Sequence, residues 1–160
     1  MILVKRLLTV AALVVGVVFL GMQFIQPARE NPVSDPTMSM AAQMNIPPAI
    51  VSLLDRGCRD CHSNNTVWPV YAYIAPASWL VSHDVTEGRK HFNMSEWGKY
   101  KQGKKMQKLS GIYEAVTDKS MPMPKYVPLH PEAQFTDAER DSLARWAKSA
   151  AELMMGGEQE

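Results

Sequence analysis

Cysteine is nearly absent from this chain of 160 residues: Cys58 and Cys61 are its only two. That excludes a framework of disulfides and the small secreted scaffolds that depend on one. A bridge between the pair itself would be strained and would cross-link almost nothing. A structural zinc site wants four Cys or His ligands, usually as two spaced pairs, and no second pair follows. Strand-like runs of β-branched residues alternating with helices are missing as well, which removes the setting of a thioredoxin-like dithiol. Charge of one sign is not in excess, with 17 Lys+Arg against 16 Asp+Glu. Such a balance gives no case for nucleic-acid binding. Internal repeats are also lacking.

What remains is the run Cys58, Arg59, Asp60, Cys61, His62. Cys-x-x-Cys-His is the c-type haem attachment signature, and its spacing has a chemical reason. Two thiols on one helical turn reach the vinyl groups on one edge of a haem and tether it through thioethers. The adjacent imidazole is left facing the iron as the proximal ligand. One covalent haem c is therefore expected, with Cys58 and Cys61 as tethers and His62 on the iron.

Attachment of this kind takes place outside the cytoplasmic membrane, and the N-terminus agrees. Lys5 and Arg6 precede an almost wholly apolar stretch, residues 7–25. About 19 residues at roughly 1.5 Å rise reach about 28 Å, close to the thickness of a hydrocarbon core. The apolar region of a cleaved signal peptide is usually shorter and ends at a small-x-small site, which residues 26–30 do not offer. Residues 1–26 are read as an uncleaved single-pass anchor, a removed signal being the alternative. Lys5 and Arg6 place the N-terminus in the cytoplasm and the remainder on the periplasmic side.

Residues 27–46 are rich in Pro, Asn, Ser, Met and Gln, lack periodicity, and are expected to be a linker. Met38, Met40 and Met44 fall within it. Residues 47–160 then form one small domain. Pro47-Pro48 opens a helix that carries Ile50, Leu53 and Leu54 and delivers the cysteine run. Pro76 starts a second helix reaching His91, with Trp79, Leu80, His83 and Glu87 on one side. Ser95 is expected to cap a third helix, which Gly103 and Gly111 weaken. Residues 119–131, with four prolines, form an ordered loop. Thr136, Asp137, Ala138 and Glu139 make a capping box for the last helix, which presents Leu143, Trp146, Ala147, Ala150 and Leu153 and stops at Gly156-Gly157. The fold class is all-α: a small cytochrome-c-like domain around one covalent haem, its first and last helices crossing, behind a transmembrane helix.

An electron-transfer haem needs a second axial ligand. Met121, in the stiff Met121-Pro122-Met123-Pro124 loop, is the leading candidate. Met123, His83 and His130 rank below it as ligands or pocket residues, His91 reads as solvent-facing, and an open sixth position is the remaining case. Trp68 and Trp79 are expected to line the pocket. Lys99, Lys101, Lys104, Lys105 and Lys108 form a basic run that is a solvated face, a docking surface for an acidic redox partner, or a face toward anionic headgroups.

The order of motifs resembles the bacterial haem-binding domain family of small c-type-cytochrome-like proteins. The series is Cys58-x-x-Cys61-His62-Ser63-Asn64, Trp68-Pro69, Ala75-Pro76-x-Ser78-Trp79-Leu80, Glu87-Gly88-Arg89, Ser95-Glu96-Trp97, Met121-Pro122, Tyr126 and His130-Pro131. Where the family reads Asn-Phe-Ser-Glu-Trp, this chain has Asn93-Met94-Ser95-Glu96-Trp97, apolar for apolar. The resemblance implies haem attachment at Cys58 and Cys61, a proximal His62, and a Met121 loop near the haem; it supplies no reaction. The expected function is a membrane-anchored monohaem electron carrier with a redox partner protein, a carrier being preferred to an enzyme. The alternative is a haem enzyme or sensor with an open distal site, peroxidase-like or gas-binding.

Overall fold

The computed structural model describes residues 1–156. The described residues contain seven α-helices and several short 3-10 turns, and none of those residues is in a strand. Gly157, half of the expected helix stop, lies outside the described residues. The helices are α1 (Ile2–Met22), α2 (Met40–Gln43), α3 (Pro48–Gly57), α4 (Arg59–His62), α5 (Ala77–His91), α6 (Gln102–Thr117) and α7 (Asp137–Gly156). The first is long and apolar enough to cross a membrane and buries none of its side chains.

The remaining helices stack around two joined clusters. One unites Ile50, Leu53 and Leu54 of α3 with Val116 of α6, Phe135, and Leu143 and Ala144 of α7. The other holds Met40, Phe92, Trp97, Leu109 and Ala151. Leu109 meets Ala151 and Val116 meets Leu143, so α6 and α7 run antiparallel. The first and last helices of the domain, α3 and α7, pack together.

Local chemistry explains several ends. Pro48 supplies the first turn of α3, where its missing N–H costs nothing. Thr136 and Glu139 exchange the two hydrogen bonds of a capping box: the Glu139 N–H donates to Thr136 Oγ1 (3.2 Å), and the Thr136 N–H donates to Glu139 Oε2 (2.8 Å). Lys119, with φ at 62°, takes the left-handed position just past the end of α6 that glycine usually fills.

Three expectations give way. Residues 27–46 have little regular structure but run as a strap along the domain. Arg89 holds the Glu30 carbonyl and Asn31, Asn31 donates to the Thr66 carbonyl, and Met40, 2% exposed, lies in the core. The third helix does not begin at Ser95. A 3-10 stretch, Met94–Lys99, comes first, capped by Asn93 Oδ1, and α6 starts at Gln102 with Gly103 and Gly111 inside it. Finally, α5 buries Ser78, Val85 and Gly88, while His83 is on the exposed side. Along α7, Ala144 and Ala151 are buried and Leu153 is exposed.

Two close approaches position the cysteine turn. A Cβ on Gly88 would collide with the Cys61 carbonyl oxygen, so only glycine lets α5 lie directly on α4. A Cβ on Gly57 would strike the Phe135 ring. The turn after His62 is fixed by a polar network: the Asn64 N–H donates to Ser95 Oγ (3.0 Å), and Asn93 Nδ2 donates to Asn64 Oδ1 (2.8 Å). Arg89 Nε adds a bond to the Ser63 carbonyl at 2.8 Å.

Gly88→Ala should push α5 off the cysteine turn and cost at least about 1–3 kcal/mol, as overpacking usually does. Met40→Ala should cost about 2–5 kcal/mol, where the same change in a free linker would be silent. Urea unfolding of the holoprotein checks both.

Candidate functional site

The cysteine turn opens onto a cavity of about 720 Å³. That volume is in the range of pockets that enclose cofactor-sized ligands. Its walls are the end of α3, the 58–62 turn, one face of α5, the middle of α6 and the loop after α6. Cys58, Cys61, His62, Met121 and Met123 all line it, although more than fifty residues of chain separate the first three from the last two. His83, His130, Trp68 and Trp79 do not.

His62 is oriented by a group the sequence did not reveal. Its Nδ1 lies 3.1 Å from the Phe92 carbonyl oxygen, and its ring packs on the Phe92 ring with centroids 5.4 Å apart. A carbonyl only accepts, so Nδ1 carries the proton and Nε2 keeps its lone pair. Burial holds the imidazole below the ordinary histidine range, which keeps it neutral even though the Phe92 and Gly88 carbonyls favour the charged form. A neutral ring with one nitrogen tied to a backbone carbonyl is the state in which histidine ligates a metal.

The two thiols are free and half-buried. Burial pushes Cys58 up to about 12, with Cys61 and Asp55 adding to the rise. Cys61 is pushed up to about 11, by burial first and then by Asp84 and Asp60. A redox-active pair needs the opposite shift, because the thiolate is the reactive form. No group of three or more His, Cys, Asp or Glu that could hold a metal ion occurs among the described residues.

Met121 is pinned through its backbone from two sides. Its N–H donates to the Ala115 carbonyl at 3.0 Å, and its own carbonyl accepts from Arg140 Nη1 at 2.7 Å. Met123 instead opens a turn, accepting from the Tyr126 N–H at 2.8 Å. Tyr126 also lines the cavity and donates to Asp60 Oδ2 at 3.2 Å. Burial and the Asp60 carboxylate both push its phenol upward, so it remains a neutral donor.

The side chains left outside have other uses. His130 stacks on Tyr126 with ring centroids 3.9 Å apart, and both its nitrogens are engaged, by Tyr71 and by Glu132. It braces the wall without reaching the interior. Trp79 gives its indole N–H to the Ile25 carbonyl at 2.6 Å, and Trp68 is half-buried away from the cavity. His83 is exposed on α5, on the side opposite Val85. His91 is exposed, as expected, yet contributes to the cavity rim, as does Lys108. Phe92 carried no sequence signal for its role, being 30 residues beyond the histidine it orients. Gly88 did carry one, in the Glu87-Gly88-Arg89 triplet.

This donor set fits a haem. Paired thiols, a neutral imidazole with a free nitrogen and soft thioethers face one apolar-lined space. Comparison with known proteins agrees. A curated relative, cytochrome c peroxidase Ccp of Escherichia coli (strain K12), is 26% identical over 155 residues, covering 94% of this chain and 33% of that protein. The chain thus spans about a third of the length of the curated relative it matches. No solved structure matches it. Residues 17–149 match the family described as the haem-binding domain. That match takes in every wall of the cavity, and the chain belongs to the haem-binding domain family.

Proposed function

We propose that this haem protein is a membrane-anchored, monohaem c-type carrier of electrons working on the periplasmic face. The observation that carries the reading is the convergence of Cys58, Cys61, His62 and Met121 on one cavity, with the His62 tautomer set by Phe92. Cys58 and Cys61 hold the group covalently. Each thiol would be held to the group through one thioether bond to a vinyl carbon. His62 would ligate the iron through Nε2, and Met121 would supply the second ligand, favoured over Met123 because α6 and α7 both fix its backbone. The haem, when bound, supplies a one-electron Fe(III)/Fe(II) couple, whose potential a Met/His ligand pair raises. Tyr126, Ile112 and Val116 close the walls and keep water away.

Support for this location comes from α1. Its length and apolar surface suit a bilayer, and Lys5 and Arg6 at its start set the orientation. The partner is another redox protein of unspecified identity. The near-neutral charge balance gives no case for nucleic acid as a partner.

One observation points toward a second reading without outweighing the first. The relative noted above is named a peroxidase, which suits a haem whose distal position opens to a small ligand. Optical spectra of the purified protein separate the two. A carrier shows low-spin bands in both oxidation states, the weak Met–Fe band at the red end when oxidised, and no rapid reaction with carbon monoxide when reduced. A high-spin spectrum with ready carbon monoxide binding would establish the second reading. Met121→Ala should abolish the Met–Fe band and lower the potential, while Met123→Ala should leave the band in place. Survival of the band in Met121→Ala would transfer the ligand role elsewhere.

A further inference from the structure

Residues 67–82 contain no charged side chain, in a chain where 21% of residues are charged. They include Trp68, Tyr71, Tyr73 and Trp79, four of the thirteen aromatic residues. Much of this apolar material faces outward: Val70 is 81% exposed, Leu80 50% and Ile74 47%. Exposed apolar residues clustered in this way mark an interaction surface.

The surface is joined to α1. Gln23, the first residue past that helix, accepts from the Ala75 N–H at 2.9 Å and donates to the Ala75 carbonyl at 3.2 Å. Trp79 donates to the Ile25 carbonyl, Ser82 to the Ala28 carbonyl at 3.0 Å, and Arg29 to the Ala72 carbonyl while lying over the Tyr73 ring. Phe24 and Ile25, both exposed, continue the apolar surface from the helix end onto the domain. No slack separates the helix from the domain. When α1 crosses a bilayer, the residues fastened to its end are placed at the bilayer's surface.

We infer that the face formed by Phe24, Val70, Tyr73, Ile74, Trp79 and Leu80 rests in the lipid headgroup and upper acyl region, so that the domain lies on the membrane instead of hanging from a tether. This rests on the reading of α1 as a membrane span. The chemistry fits that layer: Trp and Tyr are the residues enriched at membrane–water boundaries, and aliphatic side chains without charge complete the face. Along α5, Leu80 is one turn before Asp84 of the cavity wall, a rise of roughly 6 Å. The cofactor is thereby held close to the bilayer surface.

Photocrosslinking tests it. Full-length haem-loaded protein in phosphatidylethanolamine/phosphatidylglycerol nanodiscs carries p-benzoylphenylalanine at one position: Leu13 within α1, Ile74 or Leu80 on the face, or Leu153, which is exposed elsewhere on the domain. After irradiation, mass spectrometry should find lipid adducts at positions 13, 74 and 80 and none above background at 153. Adducts at 13 but not at 74 or 80 would overturn the inference. Crosslinks from 74 or 80 to a second protein chain, without lipid, would also overturn it, by assigning the face to a protein. No adduct at 13 would remove the membrane span itself, and the inference with it.

Discussion

Everything at the cavity depends on where one short turn is held. Residues 58–62 bring two thiols and an imidazole to a single wall, but a four-residue helix has no stability of its own. It is kept in place from outside. Gly88 lets α5 lie against the Cys61 backbone, and the Phe92 carbonyl fixes the His62 ring. The Asn64–Asn93–Ser95 network and Arg89 secure the chain just beyond. A side chain on residue 88, or loss of the Phe92 contact, would leave the signature intact in sequence and misplaced in space. The motif supplies the chemistry, and α5 with its C-terminal extension supplies the geometry.

The rest of the fold serves the opposite wall. Helices α6 and α7 form the antiparallel pair that anchors the Met121 loop, one through Ala115 and the other through Arg140. The same pair builds both halves of the core, leaving a large cavity between α5 and α6. A domain of this size has a modest core, and an apolar cavity in it forfeits packing that neighbouring side chains cannot recover. A haem bound there would restore those contacts and couple cofactor binding to folding, while the strap at residues 27–46 adds Met40 to the second cluster.

What the sequence made legible was local. The cysteine run, Pro48 at the start of α3, the capping box at Thr136 and the proline-bounded loop at Met121 are each decided by neighbours a few residues away. The structure finds the helix start and the capping box where the pattern put them, and it brings the cysteine run and the Met121 loop to one cavity. The misses come from contacts at long range. Met40 looks like any linker methionine until Phe92 and Trp97 pack around it. Ser95 looks like a helix cap, but Asn93 takes the capping role and Ser95 is drawn into the Asn64 network. His83 and Trp79 share a helix with Gly88 and Glu87, yet a rotation about the helix axis decides which residues see the cavity. The close fit of Gly88 on Cys61 sets that rotation. Trp79, expected to line the pocket, instead commits its indole to the end of α1.

The central claim is that one haem is bound covalently through Cys58 and Cys61. Intact-mass spectrometry of the protein under denaturing conditions, after expression with the haem c attachment machinery, tests it most directly. The chain should carry the added mass of exactly one haem, and replacing both cysteines with alanine should abolish it. A wild-type chain whose haem is lost on denaturation would contradict covalent attachment, and a second retained haem would contradict the single site.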